Sequence, residues 1–263
     1  MSPNATAHET EQVNAITMST KEDKSKNTYV STHPVLAHKI SILRSSTTPP
    51  SLFRALMREI TYSLAYEATS TLLTKSIELS VQRRGVCVEV EGSKLQEKIA
   101  IVPILRGGLG MSDALLELLP NACVHHIGMY TNKDKEGNGT PVQYYNKLPR
   151  KCESDIAYVL DPAISSANTM MSVIGILKKW GVSKIHVVTV AASSAGLKRI
   201  QEAHPDVHVT LGTVVDAVVA DDGSTVFPGI GDAGDRLFGT GCHADEDDEA
   251  LLRVSKRKRT MSM

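Results

Sequence analysis

The chain has 263 residues, of which 41% are hydrophobic, enough to bury the core of one large domain with tails. Lysine plus arginine (29) balance aspartate plus glutamate (29), so no global electrostatic case for nucleic acid exists, and with only 4% of residues aromatic any base-stacking platform for single strands is weakened. Cys87, Cys123, Cys152 and Cys242 form no Cys-x-x-Cys pair, no apolar run approaches the ~20 residues of a membrane span, and the N-terminus lacks a signal core; the expectation is a soluble cytoplasmic protein without disulfides, structural zinc, nucleic-acid partner or membrane partner.

Residues 1–28 are polar, with few large apolar side chains, and read as a disordered tail. Asn4-Ala5-Thr6 matches a glycosylation acceptor but lacks the secretory context. An ordered domain is expected over 29–241, beginning with His33-Pro34-Val35-Leu36-Ala37-His38. After Pro49-Pro50, a long amphipathic helix is predicted from Ser51 to about Thr74, with Leu52, Leu56, Ile60 and Leu64 on one face. Val86 to Val90 has the character of a short edge strand. Lys98 to Leu105 is a buried strand that runs straight into Arg106-Gly107-Gly108-Leu109-Gly110, and a helix from Met111 to Leu119 and a strand from Val124 to Tyr130 follow. In the Arg106 turn, glycines permit close backbone approach and a guanidinium can clamp two phosphate oxygens; a glycine-rich connection with a solvent arginine is the plainer alternative. Thr131 to Thr140 reads as a polar loop that closes over a site or stays solvated, with Lys133 and Lys135 in it.

Ile156 to Leu160 reads as a buried strand ending on Asp161, where Pro162 opposes continuation in a central sheet position. Ala163, Ile164, Ser165, Ser166, Ala167, Asn168 and Thr169 lead into a helix from Met170 to Trp180, which Gly181 ends. A strand from Lys184 to Ala192 completes a βαβ unit. In such a unit the turn opens a helix, where free N–H groups and the helix dipole favour an anion. Asp161 can accept two hydroxyl hydrogen bonds, so an acid beside an anion-binding turn suggests a sugar phosphate. The alternative is an ordinary βα loop with Ser166 or Thr169 as helix cap.

A helix from Ala195 to His204 and a strand over 207–215 continue the alternation, which predicts an α/β fold: a parallel sheet flanked by helices. Phe227-Pro228-Gly229-Ile230-Gly231-Asp232-Ala233-Gly234-Asp235 contains a literal G-x-G-x-x-G. Too few residues follow for a returning strand, so it reads not as a dinucleotide fingerprint but as an exposed-backbone loop able to read a small planar ligand. Residues 242–263 form a charged tail, acidic at Asp245–Glu249 and basic at Lys256-Arg257-Lys258-Arg259.

From about His33 to Thr240 the chain resembles the uracil phosphoribosyltransferases. The resemblance rests on HPVLAHKISILR, VPILRGGLGM, GMY before a loop ending PVQYYNKLP, LDPAISSANT before a helix, AHPDV and FPGIGDAGDRLFGT, in that order. It implies a type I phosphoribosyltransferase fold with a small hood near the C-terminus, and transfer of phosphoribosyl from phosphoribosyl pyrophosphate (PRPP) to uracil, giving UMP and pyrophosphate with Mg²⁺. Carried over by residue, it makes Arg106, Asp161 and Asp232 catalytic, with Arg106 on the pyrophosphate and Asp161 through Thr169 on the ribose and its 5′-phosphate. Val226 and Gly231-Asp232-Ala233 are implied to read uracil, with Asp232 also facing PRPP. It further implies a homo-oligomer (dimer or tetramer) and GTP as an effector, which some members use; the metal is implied to be carried mainly by PRPP.

Three positions depart from the family pattern. Ser165-Ser166-Ala167-Asn168-Thr169 stands where Ala-Thr-Gly-Gly-Ser is usual, and Asn168 tolerates a left-handed conformation better than Ala167. Thr131 replaces a common arginine after Gly-Met-Tyr, and Thr225 replaces a frequent tyrosine. These departures motivate a second reading, a catalytically weak or inactive relative that binds a nucleotide or a partner protein.

Overall fold

In the computed structural model, residues 27–133, 139–216, 218–219, 225–226 and 229–241 are described. Strand β1 (Thr28–Val30) begins at the last residue of the expected tail, and the charged C-terminal segment lies outside the described residues. His33 caps helix α1 (Pro34–Arg44), its Nδ1 accepting the Val35 N–H at 3.2 Å. Pro34 occupies the first turn, where a missing N–H breaks no helical bond.

Helix α2 (Pro50–Thr69) buries Phe53, Leu56, Met57, Ile60 and Leu64. The expected apolar stripe holds from Leu56 onward, but Leu52 is 42% exposed, because Phe53 takes the inward position in that turn. The helix also stops short of Thr74, which already opens strand β2 (Thr74–Arg83). With β3 (Val86–Leu95) it forms a two-stranded antiparallel hairpin separate from the main sheet, turned by Arg84 and Gly85 at φ 50° and 84°. The edge strand expected at Val86–Val90 is therefore half of a longer arm. Its sequence is polar at alternate positions, and the polar residues mask the length of both strands.

The main sheet is built from β4 (Ile99–Leu105), β5 (Cys123–Val124), β6 (Ile127–Lys133), β7 (Gly139–Asn146), β8 (Ile156–Leu160), β9 (Ala163–Ile164), β10 (Lys184–Ser193) and β11 (His208–Val215), together with β1. Its order is β1-β11-β10-β8-β4-β6-β7, with β5 beside β4 and β9 beside β10. All pairs are parallel except β6–β7. The expected loop at 131–140 is entered by strand at both ends, since β6 runs to Lys133 and β7 starts at Gly139; residues 134–138, Lys135 among them, lie outside the described residues.

Helices cover both faces, so central strands are buried on both sides and read as unbroken apolar runs. Ile101, Tyr158 and Val188 pack with α1, α2 and helix α3 (Leu109–Leu118). Their neighbours Val102, Val159 and Val187 face the opposite core, shared with α4 (Asn168–Trp180) and α5 (Ser194–Ala203). Gly181, at φ 95°, ends α4 as its sequence predicts. Beyond β11 come a small ribbon, β12 (Val218–Val219) with β13 (Thr225–Val226), and the short helix α6 (Ala233–Phe238).

Two registers position the site. Strands β4 and β8 run side by side with Pro103 opposite Leu160, so the turns after Leu105 and Leu160 open on the same carboxyl edge. Pro162 breaks the strand as expected. Pairing then resumes at β9 in the register of β8, with Leu160 opposite Val188 and Ala163 opposite Ala191.

Candidate active site

Three loops meet at that carboxyl edge. The Arg106 turn lies flush between the strands: a Cβ on Gly108 would stand 2.4 Å from the Leu160 carbonyl oxygen and 2.7 Å from the Ile104 nitrogen. Gly107 abuts the other two loops, with the Pro162 ring 3.2 Å and the Ala233 Cβ 3.6 Å from where its own Cβ would be. Between the loops is a cleft of about 520 Å³, bordered by Arg106 and Gly107, by Asp161, Ala163 and Thr169, and by Gly231 to Gly234. An adjoining pocket of about 130 Å³ is lined by Asp161 and residues 163–170. Asp161, Ala163 and Thr169 border both spaces.

Arg106 is not idle in this state. Its Nη2 donates to Asp235 Oδ1 at 2.6 Å, and its Nη1 reaches the Thr240 hydroxyl at 3.3 Å. The Thr240 hydroxyl also donates to Asp235 at 2.6 Å, and that bond, with the Arg106 guanidinium, holds the Asp235 carboxyl below the usual carboxylate range. Asp232 caps α6, its Oδ1 accepting the Asp235 N–H at 2.9 Å. Gly231, at φ 72°, supplies the left-handed turn before that cap, a conformation that favours glycine.

Asp161 sits at the junction of the two spaces. Burial pushes its pKa up to about 7, against a weak opposing hydrogen bond from the Ala163 N–H at 3.4 Å. A carboxyl of this kind gains most when a ligand brings hydroxyl donors or a cation to it.

Helix α4 starts on neither of the expected caps. Ala167 occupies the N-cap position at φ 64°, ψ 5°, with no side-chain hydrogen bond, and Asn168 is already helical. The left-handed residue is therefore the less suited of the two, at a cost of roughly 1–2 kcal/mol. The fold supports it from behind. Ser193 Oγ donates to the Ser165 carbonyl at 2.6 Å, and a Cβ on Gly196 would stand 2.1 Å from that same oxygen.

The sequence-derived residues are placed as follows. Arg106, Asp161, Ala163, Thr169, Gly231, Asp232 and Ala233 all border the larger cleft, and Ile164, Ser165, Ser166, Ala167 and Asn168 line the smaller pocket. Pro162 is buried, borders neither space, and its carbonyl accepts from the Val190 and Ala191 N–H groups. Val226 pairs with Val218 in the small ribbon and is not brought to either space. Thr131 and Thr225 are strand residues, and Phe227 lies outside the described residues. Residue-by-residue reading missed Met129, Tyr130 and Tyr144, which wall the cleft, the two tyrosine rings 6.2 Å apart. Their signal was the pair of flanking stretches GMY and PVQYYNKLP, which β6 and β7 bring together.

Chemically, the arrangement offers a cation, a diol acceptor, a helix N-terminus and a loop of exposed backbone around one opening. Comparison with known proteins accords with that inventory. The sequence model of the uracil phosphoribosyltransferase family matches residues 30–240. The chain is 40% identical over 219 residues to a uracil phosphoribosyltransferase of Roseiflexus castenholzii, covering 82% of this chain and 100% of the relative. A uracil phosphoribosyltransferase of Agathobacter rectalis is 40% identical over 208 residues, covering 79% and 96%. A solved protein of Aquifex aeolicus superposes with a TM-score of 0.71 at 30% identity, covering 80% of this chain and 97% of that one.

Proposed function

The chain belongs to the uracil phosphoribosyltransferase family, and from that premise we propose how its residues divide the work. The protein is an enzyme that transfers the phosphoribosyl group of PRPP to uracil, forming UMP and pyrophosphate. Asp161 receives the ribose hydroxyls, residues 163–169 take the 5′-phosphate at the start of α4, and Arg106 takes the pyrophosphate. The backbone from Gly231 to Ala233, with Val226, reads uracil, and Asp232 faces both substrates. The observation that carries this reading is the meeting of Arg106, Asp161 and Gly231–Ala233 around one 520 Å³ cleft that shares Asp161 and Thr169 with the helix-opening pocket.

Uracil N1 displaces pyrophosphate at ribose C1: the N1–C1 bond forms as the C1–O bond to pyrophosphate breaks, and the N1 proton passes to the departing pyrophosphate or to solvent. As the bond to pyrophosphate lengthens, positive charge grows on the ribose and negative charge on the departing group. Arg106 stabilises the latter once it exchanges its Asp235 partner for phosphate oxygens, and the ionised Asp161 lies beside the former. No protein nucleophile is required.

The donor set fits a Mg²⁺ that arrives on PRPP. Among the described residues no group of three or more His, Cys, Asp or Glu side chains forms a metal cage, whereas Mg²⁺ retains waters and binds through one or two carboxylates plus phosphates. Asp161 and Asp232 are the carboxylates bordering the cleft that can serve it. The ion supplies charge neutralisation on the pyrophosphate.

Assembly as a homo-oligomer is supported by the β2–β3 arm, whose Leu79, Val81, Val86, Val88 and Val90 are all more than 40% exposed. GTP activation and a cytoplasmic site of action rest on the family alone; rates with and without GTP test the first.

Base selectivity tests the uracil loop. Uracil offers O2 and O4 as acceptors and N3–H as donor, whereas cytosine carries an amine at C4 and a bare N3. Backbone groups matched to the first pattern leave polar groups unpaired with the second, a mismatch that sites of this kind resolve by about 10⁴-fold or more. The expected result is UMP from uracil, no product from cytosine, and loss of uracil use in Gly231→Val, with Gly231→Ala as the milder variant and circular dichroism as the check on folding. Comparable use of cytosine, or full activity in folded Gly231→Val, removes this loop from the base site.

A further inference from the structure

Two donors make three hydrogen bonds to the 163–169 loop from one side. Ser193 Oγ takes the Ser165 carbonyl at 2.6 Å while accepting the Gly196 N–H at 2.9 Å. One turn further along α5, Arg199 Nη1 donates to the Ser166 carbonyl and, at 2.9 Å, to Asn168 Oδ1. Arg199 therefore spans the left-handed residue, gripping the chain immediately before and after Ala167. The approach depends on Gly196, whose missing side chain lets the first turn of α5 lie against the Ser165 carbonyl.

The geometry has a consequence for the ligand side. A trans peptide group directs its carbonyl and the following N–H in opposite directions. Fixing the Ser165 and Ser166 carbonyls toward α5 turns the N–H groups of Ser166 and Ala167 away from α5. Among the described residues the 130 Å³ pocket is lined by Asp161 and residues 163–170, with none from α5. Held this way, the loop presents donors to the pocket before any anion arrives, and the ordering cost of binding falls.

We propose that Arg199 is a positioning residue of the phosphoribosyl site: by bridging the Ser166 carbonyl and the Asn168 side chain it holds the Ala167 turn in the form that receives the 5′-phosphate. The inference rests on the assignment of this loop to PRPP. Arg199 itself is exposed on α5 and borders neither space, so it acts through the loop and not on the substrate.

The test is a mutant cycle in the full-length enzyme. Arg199→Ala raises the KM for PRPP about tenfold, the lower end for losing a charge-assisted hydrogen bond, while kcat and the KM for uracil change less than about twofold. Arg199→Lys, with one compact cation for two acceptors, recovers part of the loss. In an Ala167→Gly background, where the turn no longer strains the backbone, Arg199→Ala has a much smaller effect. An unchanged KM for PRPP in Arg199→Ala overturns the proposal, as does an equal loss in both backgrounds. Amide exchange of residues 166–169 in the ligand-free protein reads the clamp without a substrate. Faster exchange in Arg199→Ala supports it, and unchanged exchange overturns it. Absence of PRPP binding to the wild type, by contrast, strikes the donor-site assignment and leaves the exchange result to decide the clamp.

Discussion

Asp161 faces opposite demands from folding and from binding. Its folded pKa, about 7, lies above the ordinary carboxylate value of 3.8, so the folded state binds more protons between those two values. Its protonation therefore favours folding fully below about pH 4, and that contribution is lost as pH rises through 7. Above pH 7 the buried charge opposes folding. Asp161→Asn is accordingly expected to unfold at a higher temperature than wild type at pH 8, with the gap closing at pH 4; differential scanning calorimetry at both values checks this. On the proposed assignment binding runs the other way, because ribose hydroxyls donate to the ionised form. Wild-type affinity for PRPP should rise as pH increases toward 7 and then level, by isothermal calorimetry at fixed Mg²⁺, and this carboxyl's share of the slope should vanish in Asp161→Asn. Ala167 makes a second prediction at this scale. Ala167→Gly relieves the φ of 64°, but because Ser193 and Arg199 already hold the turn in its productive form, PRPP affinity should change by less than about twofold; severalfold tighter binding would mean the turn is not held before the ligand arrives.

At the scale of elements, strand endings placed the site and glycines let the loops close on it. The Ile156–Leu160 run, the acid after it and the helix stop at Gly181 were legible because each is a local signal: a buried strand, a break, a left-handed cap. The identity of the α4 cap was not legible, since Ser166 and Thr169 both carry the usual capping chemistry. Ala167 wins only because Ser193, Gly196 and Arg199, more than twenty residues away in sequence, hold its turn. Likewise, the role of Tyr130 and Tyr144 arises when β6 folds back as β7, a pairing no single segment encodes. Gly108 carries an expectation of its own. A Cβ there would meet backbone atoms of both β4 and β8 closer than any real contact, so Gly108→Ala should destabilise by about 1–3 kcal/mol. Urea unfolding measures it, and a change below about 0.5 kcal/mol contradicts the packing described.

Across the molecule, a doubly covered sheet supplies rigidity while the parts proposed to face substrate sit on loops and at the start of the short helix α6. The loop before α6 is pinned by Arg236, which donates to the Ile230 carbonyl at 2.8 Å and lies 4.4 Å over the Phe53 ring, tying the loop proposed to read uracil to α2. The β2–β3 arm carries an exposed apolar face, the one proposed as a subunit interface. Leu79 opposes Val90 and Val81 opposes Val88 on one face, with nothing of that face buried. Val88→Asp should shift sedimentation toward the monomer without altering far-ultraviolet dichroism; an unchanged sedimentation coefficient would place the subunit interface elsewhere. The central claim is that the Asp161 loop, the Arg106 turn and the Gly231 loop form one site for PRPP and uracil. Its most direct measurement is the initial rate of UMP formation from uracil and PRPP with Mg²⁺, for wild type and Asp161→Asn side by side, across a range of PRPP concentrations. The account predicts UMP from the wild type and at least a tenfold higher KM for PRPP in a variant that is folded and no less stable, in line with about 1.4 kcal/mol or more of lost charge-assisted bonding. No UMP from the wild type, or the same KM for PRPP in both proteins, would contradict it.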